Sequence, residues 1–330
     1  MRIIAHEEHF IDADLAAASS PAMTTLGPNF AAAYGSGQGF NASPTRATLA
    51  DLGESRLAAM DAGGITMQAL SCLWAQQAPE DVAVDLVRGA NDKSAAAVLA
   101  HPDRFAAFAA LPTAVPEAAA RELDRCISEL GFVGAFLNGR TGDEFLDAPR
   151  FDPVLAAAAR LKVPIYLHPA LPPAAVTEAY YSGLNPLVNG RLQASAWGWH
   201  VETAGHFLHM VLTGVFDRYP DLILILGHWG ELIPFYLDRI EDMLPQQITK
   251  LERPFSDYFR QNVYIAPSGM FSQEQLQFCV RALGAERILF AVDYPFIGNE
   301  DAVPFLETAQ LSAEDKELIA HGNSEKLLGV

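Results

Sequence analysis

Eight short apolar segments, separated by stretches of helical character, most constrain what this chain can fold into. They are nearly continuous apolar runs, and such runs are typical of parallel strands that are buried on both faces. The predicted strands are residues 2–9, 65–72, 105–111, 132–138, 163–168, 222–228, 263–267 and 288–293.

The stretches between these strands are amphipathic or rich in alanine, and they predict helices. The predicted helices are residues 81–101, 116–130, 201–219, 232–251, 272–283 and 313–328. Eight buried strands alternating with helices predict a single α/β domain over residues 1–330, a (β/α)₈ TIM barrel. Such barrels commonly need only about 250 residues, so we expect the surplus in two long loops, residues 12–44 and 170–199. A doubly wound sheet is the alternative, but no GxGxxG motif follows the first strand.

Several predicted strands end in polar residues, and catalytic groups of such barrels lie at the carboxyl ends of the strands. The first strand ends in Glu7-Glu8-His9. Because side chains alternate along a strand, Glu7 and His9 face the same way and Glu8 the opposite way. We interpret the preceding His6 as structural. The other strand ends supply Asn138, His168, His228 with Glu231 close behind it, and Asp293.

Four of these residues form a candidate metal site: Glu7, His9, His168 and Asp293. Two carboxylates and two imidazoles offer the mixed oxygen and nitrogen ligands that suit Zn²⁺, Mn²⁺ or Fe²⁺. Beside them, His228 is a candidate general acid or base, oriented by Glu231. Taken singly, a histidine at a strand end is more often structural, and Asp293 alone would suit a turn. Their convergence on one face of the barrel favours the metal site.

A second histidine group, His200, His206 and His209, has the spacing of a metal site, because two of its members lie three apart on a predicted helix. We interpret these residues instead as interface or surface residues.

The charge balance excludes some partners. The chain has 22 basic and 40 acidic residues and a formal net charge of −18. A surface this acidic is repelled by nucleic acid and by anionic lipid.

The opening MRIIAHEEHF leaves no room for the apolar core of a signal peptide. No run approaches the ~20 apolar residues of a membrane helix, and the three cysteines form no disulfide framework. We therefore expect a cytoplasmic protein without nucleic-acid or membrane partners.

Motifs along most of the chain resemble those of one enzyme family. They are EEHF at residues 7–10, RLAAMDAGGITMQALS at 56–71, GFVGAFLNG at 131–139, YLHP at 166–169, LGHWGE at 226–231, AVDYPF at 291–296 and GNSEKLLG at 322–329. In order and spacing they resemble the amidohydrolase-related decarboxylases. This family contains the γ-resorcylate, 2,3-dihydroxybenzoate, 5-carboxyvanillate and aminocarboxymuconate semialdehyde decarboxylases.

The resemblance implies a metal-dependent, non-oxidative decarboxylase of a small ortho-hydroxy aromatic acid. His9 makes the chain most similar to γ-resorcylate (2,6-dihydroxybenzoate) decarboxylase. By the same resemblance, one Zn²⁺ or Mn²⁺ ion binds Glu7, His9, His168 and Asp293, and no organic cofactor is needed. Asp293 is then also the proton donor, and His228 with Glu231 is its catalytic neighbour.

The resemblance further implies a substrate-binding set and self-association as a homodimer or homotetramer. Arg239 resembles an active-site arginine of the family, Arg46 resembles an arginine that binds a substrate carboxylate, and Phe296 resembles a residue that packs on the ring. We expect Asn138 to complete the set. Two alternatives stay open: a metal-dependent hydrolase or hydratase of a lactone, amide or unsaturated acid, and a barrel that binds an aromatic acid without turnover.

Overall fold

A parallel sheet forms the centre of the computed structural model, which describes residues 1–34 and 44–330. Each strand pairs in parallel with the next strand along the chain, from β1 to β7. The strands are β1 Ile4–Phe10, β2 Met67–Cys72, β3 Phe105–Ala110, β4 Gly134–Asn138, β5 Ile165–His168, β6 Leu224–Leu226 and β7 Val263–Ile265.

Helices connect the strands and cover the outside of the sheet. They are α1 Ala13–Leu26, α2 Phe30–Tyr34, α3 Arg46–Ala50, α4 Glu54–Gly63, α5 Glu80–Ala100, α6 Pro116–Ser128, α7 Asp152–Leu161, α8 Ala174–Tyr180, α9 Pro186–Leu192, α10 Gly198–Leu212, α11 Val215–Arg218, α12 His228–Glu231, α13 Ile233–Met243, α14 Gln246–Thr249, α15 Phe255–Asn262, α16 Gln273–Leu283, α17 Ala302–Glu307, α18 Ala313–Glu317 and α19 Asn323–Leu328. Across the described ranges, none of the helices has the length and apolar character that crossing a membrane requires.

The eighth predicted strand, residues 288–293, is not a regular strand. Ile288 makes one parallel bridge to Ile265 in β7, and Phe290 makes one to Ala5 in β1. The backbone amide of Leu289 donates to the Ile265 carbonyl at 2.8 Å, and that of His6 donates to the Phe290 carbonyl at 3.1 Å. The sheet is therefore curled, and this segment touches both of its edges. The predicted parallel α/β sheet is confirmed, with seven regular strands in the described part of the chain.

Both faces of the sheet are buried, as the apolar runs predict. One set of alternating strand residues, which includes Ala69, Phe108, Tyr166 and Ile225, packs into a single cluster on one face. Their neighbours along the strands pack instead into the larger apolar cluster that they share with the helices. A sheet with two buried faces holds its strands at a fixed spacing, so the residues at the strand ends are placed on a rigid support.

The two long predicted loops contain helices, which corrects that expectation. The 12–44 segment holds α1 and α2, and the 170–199 segment holds α8 and α9; residues 35–43 lie outside the described residues. Asp12 begins α1, because its Oδ1 accepts hydrogen bonds from the backbone amides of Asp14 and Leu15 at 3.0 and 2.9 Å. Buried Ser19 then ties α1 to the Trp74 carbonyl at 2.9 Å.

Candidate metal centre

The four predicted metal ligands come together at the carboxyl ends of the strands. Glu7 and His9 lie on β1, His168 ends β5, and Asp293 ends the segment that touches β1. One ligand atom of each lies within 4.8 Å of the corresponding atom of every other. His9 Nε2 is 3.1 Å from Asp293 Oδ1, and His168 Nε2 is 3.1 Å from Glu7 Oε1. The His6 side chain points away from this cluster and forms a hydrogen bond with the Ser324 hydroxyl.

The outer carboxylate oxygen of Glu7 is held by the surrounding protein. The hydroxyls of Tyr166 and Ser268 both donate to Oε2. Gly227 leaves room for this arrangement, because a Cβ atom at that position would lie 2.4 Å from Oε2. The other oxygen, Oε1, is consequently directed into the cluster.

The two imidazoles are oriented through their Nδ1 atoms. His9 Nδ1 lies 2.9 Å from Ser71 Oγ. His168 Nδ1 lies 2.7 Å from the Pro169 carbonyl and 2.9 Å from Asn138 Nδ2. A proton on Nδ1 that is donated to the Pro169 carbonyl leaves the Nε2 lone pair of His168 for a metal ion. Contacts of this kind set the tautomer and the ring orientation of metal-binding histidines.

Two atoms within the cluster show that its residues fit a bound cation. Glu7 Oε1 and His9 Nε2 are buried, and neither makes a well-aligned hydrogen bond. Each lies 3.1 Å from an atom of another candidate ligand, His168 Nε2 or Asp293 Oδ1. Buried polar atoms are rarely left unpaired, since losing hydration without a replacement costs about 1–3 kcal/mol. A carboxylate oxygen and an imidazole nitrogen that face the same point are ligands for a divalent transition metal or zinc.

The electrostatics of the cluster also favour a positive charge at its centre. Burial opposes ionisation of Glu7, but His228, His168 and His9 outweigh it and hold its pKa well below the ordinary value. Burial likewise opposes charge on His9, yet Asp293 and Glu7 raise its pKa to about 9. The carboxylates thus draw positive charge onto the imidazole, and a metal ion would meet the same demand.

A hydrogen-bonded triad lies beside the cluster. Glu231 Oε1 is 2.8 Å from His228 Nδ1, and its Oε2 is 2.7 Å from His200 Nδ1. Despite burial, which opposes its charged form, Glu7 and Glu231 raise the pKa of His228 to about 10. His228 and Glu231 both have positive φ values, 47° and 53°, a conformation that is uncommon outside glycine and is concentrated at functional sites.

His200 therefore corrects the interpretation of the second histidine group as surface or interface residues. His200 belongs to the triad, and only His209 is exposed. His206 is fully buried, stacks on Phe145 at 4.5 Å and accepts a hydrogen bond from the Leu146 amide at 2.7 Å.

The burial of His206 predicts a loss of stability in acid. Burial, with smaller contributions from Arg140 and His209, lowers the pKa of His206 from 6.5 to about 3. Between these values the unfolded chain binds a proton that the folded chain does not, so stability falls as the pH falls. We expect this group to cost about 2 kcal/mol of unfolding free energy between about pH 7 and about pH 5. Glutamine at this position does not titrate and can still accept from the Leu146 amide.

Urea unfolding at both pH values measures this effect. The His206→Gln variant should lose less stability on acidification than the parent chain, and equal losses in the two proteins would contradict the assignment.

The cluster borders a cavity of about 680 Å³. His168 and Asp293 of the cluster line this space, and so does His228. Three of the residues predicted to bind substrate line it as well: Asn138, Arg46 and Phe296. Apolar wall residues of the same cavity include Leu49, Leu73, Trp74 and Trp199.

Arg239 departs from its predicted position. It is exposed on α13, and it is not among the described residues that line the cavity. The reason is helical periodicity, because Ile233 and Leu237 form the buried face of α13 and Arg239 lies off that face. Within one chain the structure does not bring Arg239 to the metal cluster.

Three residues that support the cluster were not predicted from the sequence. Tyr166 precedes His168 by two positions on the same strand, so strand alternation could have placed its hydroxyl on the ligand face. Ser71 and Ser268 offered no comparable signal. A lone serine after an apolar segment is too common to single out.

Comparisons with known proteins identify the family of the chain. A family described as Amidohydrolase matches residues 9–330. The chain is 38% identical over 290 residues to decarboxylase orsB of Emericella nidulans, covering 86% of this chain and 87% of that protein. It is 38% identical over 293 residues to γ-resorcylate decarboxylase of a Rhizobium species, covering 84% of this chain and 88% of the relative.

A solved structure also matches the whole fold. It is the 5-carboxyvanillate decarboxylase of Novosphingobium aromaticivorans, complexed with manganese and 4-hydroxy-3-methoxy-5-nitrobenzoic acid. The TM-score is 0.91 at 30% identity, with 100% of this chain and 96% of the other chain covered.

Proposed function

The chain belongs to the amidohydrolase family, and on this basis we propose that it is a metal-dependent, non-oxidative decarboxylase of aromatic carboxylic acids. The observation that carries the proposal is the cluster of Glu7, His9, His168 and Asp293, in which two buried ligand atoms make no well-aligned hydrogen bond. Two of the four residues, His168 and Asp293, line a cavity, which gives a small acid access to the cluster. Relatives that share more than a third of its sequence are named as decarboxylases.

The proposed substrate is an ortho-hydroxybenzoate, most like 2,6-dihydroxybenzoate. The named activity of the Rhizobium relative supports this choice. The cavity is suited to a planar anionic ring, because Arg46 brings a positive charge to its wall and Phe296 an aromatic surface. The Phe296 ring lies 5.7 Å from that of His9, so a ring bound beside it would lie close to the metal ligands.

The proposed cofactor is one divalent ion, Zn²⁺ or Mn²⁺, bound by Glu7, His9, His168 and Asp293. Manganese in the carboxyvanillate enzyme supports an ion of this class. When bound, the ion would supply positive charge to the substrate carboxylate and to its ortho oxygen. Together with Arg46 and Arg191, which line the cavity, the ion would provide local positive charge and attract an anion that the net charge of −18 repels.

Asp293 is the proposed proton donor. Its carboxylate first takes up a proton from solvent, to which the side chain is partly exposed, and the resulting carboxylic acid transfers this proton to the ring carbon that bears the substrate carboxylate. The bond from that carbon to the carboxylate then breaks, its electron pair restores the aromatic ring, and CO₂ leaves. One proton is consumed in each turnover and no electrons pass to an acceptor. The left-handed backbone of Asp293, with φ of 69°, directs this residue from the strand end toward the cavity.

His228 holds a proton beside the reacting groups. Its Nδ1 is fixed on Glu231, and its Nε2 lies 3.7 Å from Glu7 Oε1 at the cavity base. Glu7 and Glu231 raise the pKa of this ring to about 10 against the opposing effect of burial, and they therefore favour its charged form. We propose that it stabilises the substrate oxygens and exchanges a proton with them.

We also propose that the chain is a single (β/α)₈ domain. The bridges from Ile288 and Phe290 to the two edge strands support closure of the sheet. Residues 288–292 show the same alternation between the two apolar clusters as the regular strands do. The family match over residues 9–330 supports one domain.

Self-association as a dimer or tetramer is a further part of the proposal. Helix α13 exposes Phe235, Tyr236 and Met243, which together form an apolar surface that a monomer would leave in water. Light scattering during size-exclusion chromatography measures the oligomeric state. A chain that is monomeric at micromolar concentration would contradict the proposed self-association.

A direct assay tests the reaction. Chain loaded with Mn²⁺ or Zn²⁺ should release CO₂ from 2,6-dihydroxybenzoate and yield one equivalent of resorcinol. Matched assays with a lactone, an amide and an unsaturated acid test the hydrolase and hydratase alternatives. Turnover of one of these without CO₂ release would overturn the proposed reaction, and binding without any turnover would favour a non-catalytic barrel.

A further inference from the structure

A buried polar network surrounds Arg56, the residue that opens the RLAAMDAGGITMQALS motif. Arg56 lies on α4 and is fully buried. Its Nε donates to the Asp51 carbonyl at 2.9 Å, its Nη1 donates to Gln68 Oε1 at 3.1 Å, and its Nη2 donates to the carbonyl of His9. A buried guanidinium is costly unless its donors are satisfied, and here all three of its nitrogens have acceptors.

The network continues from Gln68 to Glu8, the strand residue that points away from the metal cluster. Gln68 Nε2 donates to Glu8 Oε2 at 3.1 Å, and Glu8 Oε1 accepts from the Val292 amide at 2.9 Å. Because arginine only donates, the Gln68 amide oxygen must face Arg56, and this orientation leaves the Gln68 Nε2 to donate to Glu8.

These contacts enclose two metal ligands that come from opposite ends of the chain. Arg56 binds the carbonyl of His9 directly. On the other side, Glu8 binds the amide of Val292, which precedes Asp293, and the Arg56 guanidinium lies 4.9 Å from the ring centre of Tyr294, which follows it. The network therefore fixes the backbone at His9, and it contacts the residues immediately before and after Asp293.

We propose that Arg56, acting through Gln68 and Glu8, is a positioning residue that sets the separation of the His9 imidazole and the Asp293 carboxylate in the metal centre. Its side chain is fully buried and is not among the described residues that line the cavity, so it acts through the ligands. This inference rests on the proposed metal centre. It assigns a role to a motif that the reaction itself does not use.

Two substitutions test the inference by metal affinity. Lysine at position 56 keeps the positive charge, but a single ammonium cannot reach acceptors spread around a guanidinium fork. We expect Arg56→Lys to weaken Mn²⁺ binding by about tenfold or more, the usual effect of losing a residue that orients a ligand. Gln68→Met breaks the link to Glu8 without changing the charge, and we expect weaker binding there too. Isothermal titration calorimetry gives the affinity, and the Mn²⁺ electron paramagnetic resonance spectrum reports the symmetry of the ligands.

The matched control is Asn262→Ala. Asn262 is equally buried and holds the Pro220 and Leu222 carbonyls at 2.8 Å each, at the opposite ends of the strands. The Asn262→Ala variant should lose thermal stability but keep the Mn²⁺ affinity and the electron paramagnetic resonance spectrum of the parent chain.

Unchanged affinity in both Arg56→Lys and Gln68→Met overturns the inference, and so does an equal loss in the control. If Arg56→Lys does not fold, Gln68→Met decides alone. A parent chain that binds no Mn²⁺ overturns the metal centre together with this inference. A parent that binds Mn²⁺ but releases no CO₂ overturns only the proposed reaction, and the affinities of the variants still decide the role of Arg56.

Discussion

Replacing Asp293 by asparagine is expected to lower kcat for decarboxylation by at least about 10³-fold, within the range by which positioned proton donors contribute. The asparagine side chain has no acidic proton to transfer to the ring carbon. The substitution also removes one of the two carboxylates of the cluster. The fold should persist, because asparagine tolerates the left-handed backbone that Asp293 adopts at φ 69°.

The measurement is CO₂ release under saturating substrate, with bound metal and the thermal unfolding midpoint determined on the same samples. Asp301→Asn is the matched control, since Asp301 is exposed and its side chain makes no capping bond to α17. Near-normal turnover in Asp293→Asn would exclude Asp293 as the proton donor. A variant that is folded and metal-loaded but inactive supports the role.

Removing the metal is expected to abolish turnover and to destabilise the fold. Without a metal ion, Glu7 Oε1 and His9 Nε2 are buried and make no well-aligned hydrogen bond. A ligand present at about 1,000 times its dissociation constant stabilises a folded chain by about 4 kcal/mol. We therefore expect a chelator to lower the unfolding free energy by a few kcal/mol, and added Mn²⁺ or Zn²⁺ to restore both stability and CO₂ release.

The comparison uses chelated, reloaded and untreated chain, with metal content measured in each. Glu7→Gln is the control for specificity, because it weakens the site without adding a new ligand, and its unfolding free energy should respond little to Mn²⁺. A chain that is free of metal and still turns over at the parent rate would contradict the metal dependence.

The strands could be predicted from sequence because burial on both faces leaves a strong signal. Runs such as Phe105–Ala110 contain only apolar residues and have few alternatives in a mixed α/β chain. The segment at 288–293 has the same apolar character, yet it makes only isolated bridges. Its neighbour β1 has an irregular register between Ala5 and Glu8, so the hydrogen bonds from His6 to Phe290 and from His9 to Tyr294 do not belong to a continuous ladder. The pattern of apolar residues cannot predict a local backbone irregularity of this kind.

Helices α1 and α9 could not be predicted with the same rules. Each contains proline or glycine, Pro21 in α1 and Gly190 in α9, and such residues usually indicate loops. Packing overrides this tendency. A Cβ atom on Gly190 would lie 2.4 Å from the Asn29 carbonyl, so the glycine is required by close contact with the segment that leads into α2.

The candidate ligands were predictable because strand ends converge in any parallel sheet of this kind. His9 and His168 need only their positions along the strands to be brought together. The contacts that orient them were not predictable, because they come from distant segments such as those of Ser71 and Ser268. The position of Arg239 was not predictable either. Its separation of eleven residues from His228 does not determine which face of α13 it occupies.

The order of the ligands along the chain has a consequence for biosynthesis. Glu7 on β1 is synthesised well before Asp293, and the segment that leads to Asp293 is the one that touches both edges of the sheet. A nascent chain therefore lacks one of the four candidate ligands until Asp293 has been added. An ion can be bound by all four residues only after that point, so the ion acquired depends on which metals are available at that stage.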